Sequence, residues 1–351
     1  MHARLAAILL GAISLACAHA PQPICERIGD MRGSEDLDVI DVVGAITLLV
    51  SADARREGQS SDRDGIWAIP WPGGTPTLLG MKRRDACSIN FHGMTAAEVT
   101  PSEWEVWVIN HHDPADASLA DCTLPQHEGK PLLHTIEHFR LTGDGLRFLE
   151  RLGSPLLTNP NDLDATPDRR LWISNNPDWD PPKQALGDVL LRRKHGYVVR
   201  YDPAAEQPWL EAAEGFVYTN GVLVEGNTLW VGSYLGLERI ELGPEGVEGS
   251  TRERIRLKGA VDNIMRDDEG LWIAAHAKPL KFVKHAEDPR KHAPTRVYRV
   301  TTDSDPERSV VLDVREQPDA GATALRLPEG DRASLAIGQV FEPGVWICPL
   351  P

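Results

Sequence analysis

One short phrase returns six times along this chain: a bulky apolar run followed by small or polar residues. The copies are Leu48-Leu49-Val50-Ser51, Val106-Trp107-Val108-Ile109-Asn110, Leu171-Trp172-Ile173-Ser174-Asn175, Leu229-Trp230-Val231-Gly232-Ser233, Leu271-Trp272-Ile273-Ala274-Ala275 and Leu335-Ala336-Ile337-Gly338-Gln339. Their central positions, 49, 107, 172, 230, 272 and 336, lie 42 to 65 residues apart. Repeats of this length mark propellers and arrays. After each copy comes a second strand with alternating character, beginning near Gly65, Thr135, Gly196, Gly236, Arg296 and Gly344. Little helical periodicity intervenes, and 30 Gly and 27 Pro punctuate the chain. Repeated hairpins of this kind build antiparallel sheet. Six units make an all-β, six-bladed β-propeller the economical fold. The ten Trp are then assigned to packing between strands rather than to a cofactor.

A ring must close. Cys348 lies in the last strand and Cys25 ahead of the first blade, so a bond between them would join the first and last blades. For so long a loop the chain-entropy value is about 5 kcal/mol, an upper figure. Cys87 and Cys122 share a neighbourhood, and pairing them would tie the polar insertion Asp113–Lys130 to its own blade. Disulfides need an oxidising compartment, and the N-terminus supplies a route to one. Met1 to Ala20 reads as an export signal: Arg4, then an apolar stretch from Leu5 to Ala16 too short to span a bilayer. Ala18-His19-Ala20 fits a cleavage site, and Ser14-Leu15-Ala16-Cys17 resembles a bacterial lipobox, with Cys17 as the lipidated residue. The remaining chain, 21–351, is expected to form one catalytic propeller in the periplasm or on a lipid anchor. A formal net charge of -15 argues against nucleic acid or an anionic membrane as partner and suits cations.

Ahead of the repeated phrase lies another short strand, whose first residues are polar in five copies: Glu35-Asp36, His92-Gly93-Met94, Asn161-Asp162, Asn220-Gly221 and Asp262-Asn263. Singly these are weak signals, since Asn220-Gly221 is also a hairpin-turn pair and Asn161-Asp162 an Asx-turn pair. The innermost strands of a propeller surround its channel, so equivalent positions converge on the axis. The set is all oxygen without thiolate, which suits a hard cation such as Ca2+ rather than zinc. Adjacent strand residues point to opposite faces. Glu35 and Asp262, with the amides of Asn161, Asn220 and Asn263, would balance one divalent ion; Asp36 and Asp162 would balance a second with a backbone carbonyl.

In this order and spacing, Gly33-Ser34-Glu35-Asp36-Leu37, Phe91-His92-Gly93-Met94, Val108-Ile109-Asn110-His111, Pro160-Asn161-Asp162-Leu163, Thr219-Asn220-Gly221-Val222 and Val261-Asp262-Asn263-Ile264 resemble the calcium-dependent paraoxonases, an arylesterase and lactonase family. The resemblance runs from Cys25 to Cys348 and implies a six-bladed propeller with two calcium ions, one catalytic and one structural. It assigns Glu35, Asn161, Asn220, Asp262 and Asn263 to the catalytic ion, and Asp36, Asp162 and the Met94 carbonyl to the structural one. It matches His92 and His111 to a histidine pair of general base and partner. Glu35 is a rival base, and His112 leaves room for a shift of the pair by one residue. The reaction implied is hydrolysis of a small-molecule lactone or aryl ester. A gluconolactonase-like sugar lactonase and a non-catalytic periplasmic binding propeller with structural calcium are the alternatives.

The insertion Asp113–Lys130 and the amphipathic segment Lys183–Lys194, with Leu186, Val189 and Leu190 on one side, depart from the animal members of that family. The second would be a lid helix or a plain surface helix. The basic segment Lys278–His292 reads as a solvated loop.

Overall fold

A computed structural model of the chain describes residues 24–42, 44–56, 62–82, 85, 87–101, 103–115, 119, 121–177, 187, 189–327 and 333–350. The proposed export signal and Cys17 lie outside the described residues, as does most of the 183–194 segment. Of that segment, residues 187 and 189–191 are helical, with Leu190 and Leu191 exposed.

Six sheets form the blades of a β-propeller, antiparallel except for a short parallel edge strand, Met81–Lys82, in blade 2. Their innermost strands are Asp36–Val42, Phe91–Thr100, Pro160–Ala165, Thr219–Glu225, Ala260–Asp267 and Gly321–Leu327. Each touches the next, and the last touches the first, so they enclose one axis. The repeated phrase supplies the second strand of every blade: Ala45–Ala52, Glu103–His111, Leu171–Asn175, Thr228–Ser233, Gly270–His276 and Ser334–Gln339.

The packing explains why that phrase has three consecutive apolar residues. Successive side chains of a strand face opposite ways, and each second strand is buried on both faces. Leu171 and Ile173 pack back against blade 2 with Trp107, Ile109 and Ile136. Trp172 between them packs forward against blade 4 with Phe216, Val222, Leu229 and Val231. The pattern recurs around the ring. Trp107 faces blade 3, Trp230 faces blade 5 and Trp272 faces blade 6. Leu49 and Ala336 hold the same position toward blades 2 and 1. Strands covered on both faces read as unbroken apolar runs, which is the signal visible in the sequence.

Closure differs in detail from the expectation. The N-terminal strand Glu26–Arg32 pairs antiparallel with the C-terminal strand Pro343–Pro349, with Glu26 opposite Ile347, and is the outermost strand of blade 6. The Cys25–Cys348 disulfide therefore locks the two chain ends within one composite blade instead of bridging two blades. The Cys87–Cys122 disulfide is formed as expected.

The segment 278–292 is not simply a loop. Pro279–Glu287 is an α-helix, with Pro in its first turn and Lys284 and His285 in its last. His285 is buried, and Phe282 packs beside it against Phe341. His285 is the one buried residue of this helix, and Lys278, Lys281 and Lys284 give the segment the composition of a solvated loop.

Candidate metal centre

The inner strands do not run regularly to their first residues. Pairing with the second strand is interrupted between Phe91 and Met94, Pro160 and Leu163, Thr219 and Val222, Val261 and Ile264, and Gly321 and Thr323. These breaks coincide with the polar positions of four blades. A β-bulge frees residues from the ladder and re-aims their side chains. Gly93 and Gly221 make the blades' close approach possible. A Cβ on Gly93 would lie 2.6 Å from the Asn161 carbonyl oxygen, and one on Gly221 would lie 2.4 Å from that of Asp262. Asn220-Gly221 is thus a point of strand contact, not a hairpin turn.

At this end of the channel Glu35, Asn161, Asn220, Asp262 and Asn263 are all buried. Among the described residues, the side-chain oxygens of Asn161, Asn220 and Asn263 have no hydrogen-bond donor. A buried acceptor left unpaired costs roughly 1–3 kcal/mol, and three such oxygens with two carboxylates make a group that could hold a hard cation. Glu35 accepts from the Arg55 guanidinium in a close ion pair and from His92 Nε2 at 3.1 Å. Burial raises its pKa, but Arg55 and His92 outweigh that and hold it below the ordinary carboxylate range. Asp262 meets His276 Nε2 at 2.7 Å, and burial still leaves its pKa raised. Tyr218, also facing this space, is pushed up to about 12 by burial and by the charges of Asp262 and Glu35.

A second acidic layer lies behind the first. Asp36 Oδ1 accepts from Asn263 Nδ2 at 3.1 Å and from the Thr323 hydroxyl at 2.9 Å, and Oδ2 from the Met94 N–H at 2.6 Å. The contact shown for Met94 is thus its N–H. Asp162 accepts from the Val222 N–H at 2.8 Å. Two residues further along, Asp38 and Asp164 accept from the N–H groups of Ala96 and Val224. Each of these aspartates reaches the inner strand of a neighbouring blade. Burial raises the pKa of Asp36 and Asp38 to about 7 and of Asp164 to about 6, and that of Asp162 well above its usual value. A column of mutually repelling buried carboxylates fits a cation held among them.

From Glu35 a chain of imidazoles leads away. His92 Nδ1 lies 2.9 Å from His111 Nε2, and His111 Nδ1 lies 2.8 Å from His134 Nδ1. His92 and His111 are brought together as expected. His112 instead points to the Thr135 hydroxyl at 2.9 Å and is not in the chain. Burial and the neighbouring His92 and His134 push His111 well below the usual imidazole range, so it is neutral. An ionised Glu35 can only accept, so in a chain of neutral imidazoles every proton has one place. His92 Nε2–H donates to Glu35, His111 Nε2–H to His92 Nδ1, and His134 Nδ1–H to His111 Nδ1.

Sequence reasoning missed Arg55, which comes from a loop of blade 1, and His134 and His276, which sit at strand ends away from the inner strands. It missed Thr323 because the sixth inner strand opens without a charged or amide residue. Asp38 and Asp164 were legible as the alternating partners of Asp36 and Asp162.

No protein-family model matches the sequence, and no curated protein matches it. Among solved structures, a luciferin-regenerating enzyme superposes with a TM-score of 0.54 at 13% identity, covering 93% of this chain and 94% of its own. A glucose dehydrogenase superposes with a TM-score of 0.51 at 14% identity, covering 93% and 98%. A gluconolactonase from Xanthomonas campestris reaches 0.47 at 15% identity, covering 95% and 99%. At these identities the likeness is one of fold.

Proposed function

We propose that this protein is a calcium-dependent hydrolase of lactones or aryl esters. The observation that carries the reading is the set of three unpartnered, buried amide oxygens on Asn161, Asn220 and Asn263, gathered with Glu35 and Asp262 beside a histidine chain. These five residues would hold the catalytic ion, and Asp36 and Asp162 with the Met94 carbonyl a structural one. Calcium, when bound, supplies Lewis-acid polarisation of the substrate carbonyl, an effect worth several kcal/mol of barrier.

The histidines supply the base. In the tautomers that Glu35 imposes, His92 Nε2 carries a proton and cannot accept one. When His92 Nε2 gives its proton to solvent and His134 Nε2 takes one up, the chain turns over and His92 Nε2 has the lone pair that takes a proton from water. That proton is passed from His92 Nδ1 to His111 Nε2, and from His111 Nδ1 to His134. The neutral, buried His111 suits a relay because it stabilises no charge of its own. The two disulfides and the apolar N-terminal segment support export to the periplasm or to a lipid anchor of a bacterial cell. Among the described residues no helix is long and apolar enough to cross a membrane.

The test is hydrolysis of aryl acetates, aliphatic lactones and sugar lactones before and after chelation, with His92→Gln in parallel. Calcium-restored turnover of aryl esters or aliphatic lactones, lost in His92→Gln, supports the reading. Turnover confined to sugar lactones moves the substrate class, and wild-type rates in His92→Gln remove His92 as base. A folded protein inactive on all three panels with calcium bound would be a binding propeller.

A further inference from the structure

Arg55 is an unexpected occupant of this site. Its side chain is 16% exposed and that of Glu35 5%, so the ion pair between them is largely out of water. The guanidinium is also held by the Phe91 carbonyl at 3.2 Å, and its charge reaches Asp262 as well as Glu35. The next residue anchors the loop: Arg56 donates to Glu342 Oε1 at 2.7 Å and to the His285 carbonyl at 2.9 Å. Two buried carboxylates without a counter-charge are costly. Arg55 supplies one positive charge to Glu35, and His276 hydrogen-bonds Asp262. The guanidinium holds Glu35 Oε2 while His92 lies on Oε1, so a divalent ion at this centre would compete with Arg55 for Oε2. Asp53 offers the guanidinium another acceptor, with its Oδ2 3.9 Å from Arg55 Nε.

We infer that Arg55 is the resident counter-cation of the centre: it holds Glu35 in place when no metal is bound, and a divalent cation must displace it toward Asp53 to bind. The inference rests on the metal-centre reading above. Metal affinity is then the intrinsic affinity of the ligands less the cost of breaking the Arg55–Glu35 pair, as for any ligand that selects one of two states. Arg55 thereby sets the calcium concentration at which the centre fills. An arginine that merely braced Glu35 for the metal would act in the opposite direction.

Calcium titration calorimetry on the full chain, with thermal melting in chelator, decides between them. Arg55→Met should bind calcium about tenfold more tightly than wild type or better, since a like charge is removed beside the ion, while melting lower in chelator. Asp53→Asn, which removes the acceptor for the displaced guanidinium, should bind several-fold more weakly. Arg55→Lys, which keeps the charge but not the fork, should fall between wild type and Arg55→Met and covers the case that the methionine variant does not fold. Unchanged or weaker calcium binding in a folded Arg55→Met or Arg55→Lys overturns the inference while leaving the centre standing. Unchanged affinity in Asp53→Asn removes Asp53 as the receiving group. Failure of the wild type to bind calcium at all overturns the metal centre itself, a separate outcome.

Discussion

Replacing Asn220 by leucine should raise stability in one condition and lower it in another. Asn220 is 7% exposed, and among the described residues its side-chain oxygen has no donor. The unpaired acceptor costs roughly 1–3 kcal/mol, and leucine is of similar size and brings none. In chelator the variant should therefore be about 1–2 kcal/mol more stable than wild type, a rise of roughly 1–3 °C in Tm for a chain of this size. Calcium reverses the order. At a hundred times its Kd a ligand adds about 2.7 kcal/mol to the native state. Wild type gains that amount, whereas the variant has lost a ligand and gains little. The assay is differential scanning calorimetry of both proteins in chelator and in excess calcium. If Asn220→Leu is strongly destabilised in chelator, its oxygen has a structural partner. If its calcium response equals that of wild type, Asn220 is not a ligand. Either result refutes the reasoning.

Further outcomes follow from the packing and the charges. Trp172→Ala, which empties the interface between blades 3 and 4, should cost about 3–5 kcal/mol by chemical denaturation while leaving activity per folded molecule unchanged. Glu105 is buried and accepts from His138 Nε2 at 2.9 Å, from Arg140 Nη2 at 3.0 Å and from Arg169 Nε at 2.7 Å. Burial alone would raise its pKa, but the bonds from Arg169, Arg140 and His138 lower it to about 2. A folded-state pKa below the unfolded one gives stability that is present above the ordinary carboxylate value and lost as pH falls toward 2. Glu105→Gln should therefore flatten the decline in stability that the wild type shows between pH 5 and pH 2, measured by urea unfolding across that range. His134→Phe should slow turnover with little change in KM if the third imidazole carries the proton outward; an unchanged kcat would end the relay at His111.

The fold was legible because a propeller writes one requirement into every blade. The second strand is covered on both faces, so Leu171-Trp172-Ile173 and its five counterparts repeat as apolar runs wherever they fall in the chain. The polar starts of the inner strands were legible for a related reason, since equivalent positions share a place around the axis. What escaped was geometry that no period encodes. Arg55 reaches Glu35 from a loop, and His134 meets His111 because the second and third strands of blade 2 pair with these two residues opposite each other. The helix Pro279–Glu287 was read as loop because its buried face is carried by few residues amid lysines. Ring closure was read from the cysteines alone, and the composite sixth blade needed the pairing of Glu26–Arg32 with Pro343–Pro349 to be seen.

The central claim is that side chains from separate blades share a divalent cation inside the channel. Anomalous X-ray diffraction from crystals grown in calcium tests it most directly. A calcium peak enclosed by Glu35, Asn161, Asn220, Asp262 and Asn263, with a second beside Asp36 and Asp162, is the result expected. Anomalous density absent from the channel at saturating calcium, with the guanidinium of Arg55 still on Glu35, would contradict it.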